Sequence, residues 1–479
     1  MRLTVFQSAE GDCLLLTGAD RKRMLIDGGM NPSYREHVAE TLSALKKLDL
    51  VYVSHIDADH ISGILRMVDD LVDWRVYDYQ SKPSSKKAGV KKKAKKEPDF
   101  PRPPEIAHIW HNAFHEQIGE NAGEIENMLA ANAVILSANA NSAALSEAKQ
   151  EIRNAVVRVH QNLVTSQAQA LELARRVGAK QLNIPVNQLE LNKPLKKPAE
   201  RKLLLVREKV KTPIKLGDMS IYIIGPFEEE LIKLREEWNT WLSKNSDRLG
   251  DIQRRAKSDE DSLVANEISG IKDSMLAESV NLLNSKVEEL EAEAKALGLA
   301  DNEKKKKKLI GRRDKVTTAN LASLMLLVEE GTGAKKKTLL LTGDGHAEDI
   351  LKGLKHYKKL DKSGRMHVDV LKIPHHGAEF NTDQLFCDAV TADHYVFCGN
   401  GAHENPDLDI IEMYFEARMK PGDKRKFKFW FNSNSGAAIK KKDREHMKAI
   451  ERLIPKLEAR SGGRMSSEFL TDHSFEFKI

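Results

Sequence analysis

Ser54-His55-Ile56-Asp57-Ala58-Asp59-His60 follows directly on Leu48-Asp49-Leu50-Val51-Tyr52-Val53, a largely apolar run that reads as a buried strand. A strand end that opens into a loop dense in His and Asp is a common way to hold metal ions. Two imidazoles and two carboxylates this close together would repel or desolvate one another unless a cation or open water compensated them. The alternative is a solvated acidic turn with two incidental histidines. The rest of the chain supplies partners that favour the metal.

Composition bounds the reading. The chain has 479 residues, enough for one large domain with insertions or for several domains. Charged residues make up 31% and mean hydropathy is -0.49, which suits a soluble protein with a polar surface. No apolar run approaches the roughly 20 residues that span a bilayer, so no membrane association is expected. Met1-Arg2-Leu3-Thr4-Val5-Phe6 has neither a long apolar core nor a small-residue cleavage site, and reads as a first strand. The cysteines Cys13, Cys387 and Cys398 form no CxxC pair. That argues against a disulfide framework or a thiolate zinc site and predicts a reduced, cytoplasmic protein.

Short β-type runs at Leu3 to Phe6, Cys13 to Thr17 and Arg23 to Asp27 open the chain, separated by Gly and Asp turns. Helical spacing follows at Tyr34 to Lys47, and a helix from Ile61 to Leu71 continues the His/Asp loop. Ser81 to Pro98 is low-complexity and strongly basic. Ile106 to Trp110, Leu203 to Val206 and Met219 to Gly225 read as strands, as do Leu321 to Val328, Thr338 to Thr342, Val368 to Ile373, Tyr395 to Cys398, Lys426 to Phe431 and Ser474 to Ile479. Residues 116–178 read as helices. Residues 228–313 form a charged helical segment, in which Val280 to Leu290 suits a hairpin or short coiled coil before the lysines Lys304 to Lys308. Strand-rich ends flanking a helical middle predict one α/β domain carrying helical insertions.

Further polar clusters sit at strand ends. Leu339-Leu340-Leu341-Thr342-Gly343-Asp344 presents a lone carboxylate where the backbone turns. Leu371-Lys372-Ile373-Pro374-His375-His376-Gly377 places two histidines beyond a strand; adjacent rings cannot both point the same way, so one can bind metal while the other lines the pocket. Gly399-Asn400-Gly401-Ala402-His403 again follows an apolar strand. Lys372, within an alternating strand pattern, reads as a solvated side chain.

Together with Gly11-Asp12-Cys13-Leu14-Leu15, Leu25-Ile26-Asp27-Gly28-Gly29, His60-Ile61-Ser62-Gly63 and Asn320-Leu321-Ala322-Ser323-Leu324, these pieces resemble the metallo-β-lactamase fold. Within it they are similar to the branch typified by the hydrolase domain of the DNA-uptake protein ComEC, with its HxDxDH, TGD and HHG motifs. The resemblance covers the two ends, about half the chain. It implies an αββα sandwich of two facing sheets with helices outside and metals at one edge. Residues 1–115 would be the first part of that domain, with a basic linker at 81–98. Residues 116–198 would be a mainly helical insertion and 199–227 strands of the domain. Residues 228–313 would be a charged helical insertion, and 314–479 the second part of the domain.

Carried over, the resemblance assigns His55 and Asp57 to a first metal, Asp59 and His60 to a second, and Asp344 to a bridge between them. One of His375 and His376 would complete the second site, with a slight preference for His375, and Asp27 would buttress the loop from behind. The commoner pattern has His where this chain has Asp57, and a carboxylate shifts preference toward manganese or magnesium without excluding zinc. The usual middle histidine has no clear counterpart; His111, after the strand Ile106 to Trp110, is the candidate.

Two divalent ions about 3.5–4 Å apart would lower the pKa of a bridging water and aim a hydroxide at phosphorus. The expected activity is therefore a metal-dependent phosphodiesterase or nuclease, dependent on Asp59, with His403 protonating the leaving oxygen or binding phosphate. The alternatives are a hydrolase of another ester, or a partner-dependent subunit of a bacterial defence complex that docks through its helical insertions. Ser81 to Pro98, Lys304 to Arg313 and Lys335 to Lys337 would suit a nucleic-acid backbone or be solvated loops.

Overall fold

Apolar runs broken by Gly and Asp turns form the first strands, β1 (Arg2–Phe6), β2 (Leu14–Thr17) and β3 (Arg23–Ile26). They are seen in a computed structural model of the chain, which describes residues 1–81, 96–112, 169–170, 172–192, 203–236 and 310–479. The chain divides into one unit of Met1–Asn112, Glu172–Leu231 and Ile310–Ile479 and a second of Ala113–Leu171 and Ile232–Leu309. The second unit lies almost wholly outside the described residues. So do most of the helices expected at 116–178, the hairpin expected within 228–313, the lysines at 304–308 and most of the basic run at 81–98.

The first unit is mixed α/β. The chain continues through β4 (Lys47–Leu48), β5 (Leu50–Tyr52), β6 (Glu105–Ile106) and β7 (Ile109–Trp110). Then come β8 (Ile214–Leu216), β9 (Met219–Gly225), β10 (Met325–Glu330), β11 (Lys337–Leu341) and β12 (Met366–Lys372). The last are β13 (Val390–Phe397), β14 (Phe427–Phe431), β15 (Met465–Phe469) and β16 (Ser474–Lys478). One sheet has the order β16-β1-β2-β3-β5-β7 and another the order β15-β14-β13-β12-β11-β10-β9-β8; β4 and β6 pair by themselves. The helices used below are α1 (Ala58–Ser81), α2 (Ala347–His356), α3 (Gln384–Ala389), α4 (Leu408–Met419) and α5 (Lys441–Arg460).

Side chains alternate across the eight-stranded sheet, as the pleat requires. Phe427, Phe429 and Phe431 of β14, with Tyr395 and Phe397 of β13, pack in one cluster with Ile350, Phe386, Tyr414 and Ile450 of the helices. Trp430, Val396, Val370, Leu339 and Leu341 point the other way, into a cluster shared with Leu3, Leu14, Met24, Leu50 and Trp110 of the six-stranded sheet. Neither face of the eight-stranded sheet is therefore free for water at its centre.

Some strand readings differ from the structure: Ile106 to Trp110 divides into β6 and β7, which pair in different sheets. Leu203–Val206 is extended but joins no ladder; its amide at Val206 donates instead to Pro226 O at 2.9 Å. The run from Leu321 begins as a helical turn capped by Thr317, and the strand starts only at Met325. The three cysteines are buried free thiols. No helix among the described residues is long and apolar enough to cross a membrane.

The topology decides where chemistry can sit. β3, β5 and β7 run parallel, as do β11, β12, β13 and β14. Parallel strands end at a common edge, so the loops that follow them share one place. Asp27, His55, His111, Asp344, His375 and His376 all follow such strand ends.

Candidate metal centre

Asp27 ends β3 in the left-handed region (φ 53°), a conformation that costs a non-glycine residue roughly 1–2 kcal/mol. The turn lets its carboxylate accept from Ser54 N at 2.7 Å and Ser54 Oγ at 2.8 Å. Next to it, Gly28 N donates to His60 O at 2.8 Å, fastening the turn to the first turn of α1. Asp59 and His60 are thus set by a helix start, where amides at His60 and Ile61 both return to Asp57 O. His375 and His376 also lie at positive φ, 44° and 56°, so strain gathers around this one place.

Four imidazoles are oriented alike. His55 Nδ1 lies 3.1 Å from Ser54 Oγ, and His60 Nδ1 lies 3.0 Å from Asp27 Oδ2. His375 Nδ1 lies 2.7 Å from Asn381 Oδ1, and His376 Nδ1 lies 3.2 Å from Asp12 Oδ1. Each ring thereby turns Nε2 toward the carboxylates of Asp57, Asp59 and Asp344. His55 Nε2 is 3.5 Å from Asp57 Oδ2 and 3.7 Å from Asp344 Oδ2. His60 Nε2 is 3.6 Å from Asp59 Oδ2 and 3.4 Å from Asp344 Oδ1. His376 Nε2 is 3.1 Å from Asp59 Oδ2 and 3.5 Å from Asp344 Oδ2, and His375 Nε2 is 3.5 Å from Asp344 Oδ2. Asn320 Nδ2 also approaches His375 Nε2, at 3.3 Å.

These spacings test whether a metal fits. Donors about 2.0–2.2 Å from one tetrahedral ion are separated by about 3.4 Å, whereas hydrogen bonds from nitrogen run about 2.7–3.2 Å. Most of the separations here are edges of a coordination shell rather than hydrogen bonds. His55 Nε2, His60 Nε2 and Asp344 Oδ1 are buried and have no hydrogen-bond partner among the described residues. Such orphaned donor atoms, converging from different elements, fit divalent ions. Asp344 meets all four rings. Asp59, His60 and His376 gather on one side of it, and His55 and Asp57 are neighbours of their own. Of the two adjacent histidines, the ring that approaches both Asp59 and His60 is His376, its centroid 5.2 Å from that of His60.

Two residues enter the site to which the sequence reading gave no part in it. Asp12, fully buried, belongs with His60, Asp344 and His376 to a group whose ligand-type atoms lie within 4.8 Å of one another. Lys372, expected to be solvated, is 1% exposed. Its ammonium pairs with Asp12, donates to Gly343 O at 3.2 Å and lies 3.8 Å from Asp344 Oδ1. The reason is the second buried face: Lys372 lies two residues beyond Val370, on the same side of β12, and that side points between the sheets, not into water. Burial alone would push Lys372 down, but the Asp12 and Asp344 carboxylates outweigh it and hold it above the usual lysine range. Burial would raise Asp12; Lys372 and His376 instead hold it down at about 2.

His403 stands apart from the cluster. It is exposed, at φ 56°, with Nε2 3.8 Å from Glu10 Oε2. His111 follows β7 at the same sheet edge and is fixed by its backbone to the Asn187 side chain, in two bonds of 2.9 Å. It is not one of the four clustered groups. Of the basic clusters, Lys335 to Lys337 lie at the start of β11, the opposite end of that strand from Asp344. Lys336 pairs there with Glu329 and Lys337 with Asp369. Arg313 pairs with Glu230 and Asp349.

No family model matches the chain, and no curated protein matches it.

Proposed function

We propose that this chain is a hydrolase of phosphodiesters that depends on two divalent metal ions, built on an αββα sandwich of the metallo-β-lactamase kind. The sandwich reading is supported by the core cluster shared between the two sheets and by the helix-covered outer face of the larger one. The metal reading is carried by one observation: four imidazole Nε2 atoms face Asp57, Asp59 and Asp344 at coordination-edge distances, and several of those donors are buried without partners.

Charge agrees with the number of ions. Asp12, Asp27, Asp57, Asp59 and Asp344 bring five carboxylates to the site, and among the described residues the buried Lys372 brings one cation, paired with Asp12 and 3.8 Å from Asp344. With neutral imidazoles, four negative charges remain, which two divalent ions balance. Asp57 favours manganese or magnesium over an all-nitrogen zinc site, and zinc remains compatible with the donor set. When bound, the ions would supply a water acidic enough to attack at neutral pH and would neutralise charge on a phosphoryl group.

The chain's own residues do the rest. Asp344 spans the two halves of the site. His403 has an exposed ring on a strained turn, with Glu10 beside Nε2, and would meet a substrate oxygen as proton donor or phosphate contact. The turn is tied to the site, since Asp407 N donates to Gly377 O at 3.0 Å, one residue after His376. It is tied also to the start of α5, where His446 Nε2 lies 2.9 Å from Pro406 O and Lys442 Nζ lies 3.3 Å from Glu404 Oε1. Lys440, Lys441 and Lys442 there are exposed beside the His403 turn, behind Ile439, which is 90% exposed. A basic lip next to a metal centre suits a polyanionic strand better than a neutral ester.

The test is hydrolysis of plasmid DNA, single-stranded DNA, RNA and a small chromogenic phosphodiester, each with manganese, magnesium or zinc and beside Asp59→Ala. Metal-dependent cleavage that vanishes in the variant is expected. Turnover of a thioester or lactone with phosphodiesters inert would overturn the substrate class.

A further inference from the structure

Asp12 reaches His60 and His376 from the side away from Asp59 and Asp344. Its Oδ1 is 3.2 Å from His376 Nδ1 and its Oδ2 is 3.9 Å from His60 Nδ1. The acidic partners of the same rings at Nε2 are Asp59 and Asp344. A carboxylate on the Nδ1 side of both rings cannot share an ion with their Nε2 atoms. Proximity alone would make Asp12 a ligand; the sides of the rings make it an outer partner.

We infer that Asp12, charge-paired with the buried Lys372, is a positioning residue that keeps the proton of His376 on Nδ1 and so presents Nε2 to the ion shared with Asp59 and Asp344. The inference rests on the metal-dependent reading above. Asp27 already holds His60 in this way, at 3.0 Å and with further bonds to Ser54. Among the described residues no hydroxyl or amide bonds His376 Nδ1, which relies on Asp12. The contact there is close but oblique: neither Asp12 Oδ1 nor His376 Nδ1 makes an aligned hydrogen bond.

Lys372 makes the arrangement possible. A lone carboxylate buried between two sheets would take up a proton or draw in water. Lys372 supplies the opposite charge from the last position of β12, the strand that leads into His375 and His376, while Asp12 comes from the loop between β1 and β2. Partners of this kind raise ligand basicity and fix the tautomer, and their removal typically weakens metal binding by about 10–100-fold.

The experiment uses the full chain. Zinc and cobalt are titrated into the wild type and into Asp12→Asn/Lys372→Met, which removes both buried charges together and keeps an acceptor oxygen. The expected result is two ions in the wild type. In the variant the first ion should bind as before and the second about 10–100-fold more weakly, with an altered cobalt absorption band. Nitrogen-15 spectra of the zinc-loaded wild type should show His376 protonated at Nδ1 and bound through Nε2, a readout that does not depend on the variant folding. Binding of His376 through Nδ1, or a variant with both ions held at wild-type strength, overturns the role of Asp12 while leaving the metal centre intact. A wild type that takes up no ion sinks the metal reading itself.

Discussion

Gly63 and Gly28 touch backbone to backbone: a methyl group on Gly63 would lie 1.9 Å from the Gly28 carbonyl oxygen. The contact locks the turn carrying Asp27 onto the helix carrying His60. Gly63→Ala must push them apart. Overpacking of this kind costs about 1–3 kcal/mol, and here it also withdraws Asp27 from His60. The expected outcome is a lower urea midpoint in chelator and weaker zinc binding. A variant with the wild-type midpoint and full metal content would show that the two segments are not locked.

Asp344 and Asp57 should separate in a metal count. Asp344 lies within 3.4–3.7 Å of the Nε2 atoms of His55, His60, His375 and His376, whereas Asp57 approaches His55. Asp344→Asn is therefore expected to weaken both ions and Asp57→Asn one of them. Elemental analysis after gel filtration measures this directly. Equal depletion in the two variants would mean that the site is not divided between a shared and a private carboxylate.

What could be read in the sequence was local. An apolar run that ends in His and Asp announces a strand end and its loop within a dozen residues, as at Leu50 to His60 and Leu339 to Asp344. What could not be read was set by partners far along the chain. Asp12 meets Lys372, 360 positions away, and no spacing rule connects them. Lys372 misleads for a physical reason: alternation marks two faces of a strand but not which of them water reaches, and β12 has helices on one side and a second sheet on the other. β15 escaped because Met465-Ser-Ser-Glu-Phe469 is an edge strand with half its side chains turned outward. Leu203–Val206 misled in the opposite sense, apolar enough for a strand but bonded at Val206 to the Pro226 carbonyl instead of along a ladder.

Metal-free stability should fall as pH rises. Burial would push His60 and His376 down, but Asp344, with Asp59 beside one ring and Asp12 beside the other, holds both well above the ordinary 6.5. A histidine whose folded pKa is raised contributes stability that is complete below 6.5 and is lost as pH climbs through the folded value. Asp12 works at the acid end, stabilising above 3.8 and failing as pH drops toward about 2. In chelator, the melting temperature is expected to decline above pH 6.5. Zinc must displace the same ring protons, so the stabilisation it adds should grow over that range. Melts in chelator and in saturating zinc check both; a chelated protein that gains stability with rising pH would mean that the rings are not held protonated.

The lip at Lys440 to Lys442 tests whether the proposed hydrolase would act on a strand or on small phosphodiesters. These lysines sit beside the His403 turn, whereas the lysines at 335–337 lie at the far end of β11 from Asp344. Reversing all three, Lys440→Glu, Lys441→Glu and Lys442→Glu, leaves the metal cluster untouched, since none of its hydrogen bonds or ion pairs involves them. If a single strand crosses the lip, the slope of log affinity against log salt should drop by about 2, at roughly 0.7 for each phosphate that a lysine no longer neutralises. KM for the strand should rise steeply, with turnover of a small chromogenic phosphodiester unchanged. An unchanged salt slope would place the strand elsewhere. An equal fall on both substrates would mean that the lip shapes the His403 turn rather than the path of a polyanion.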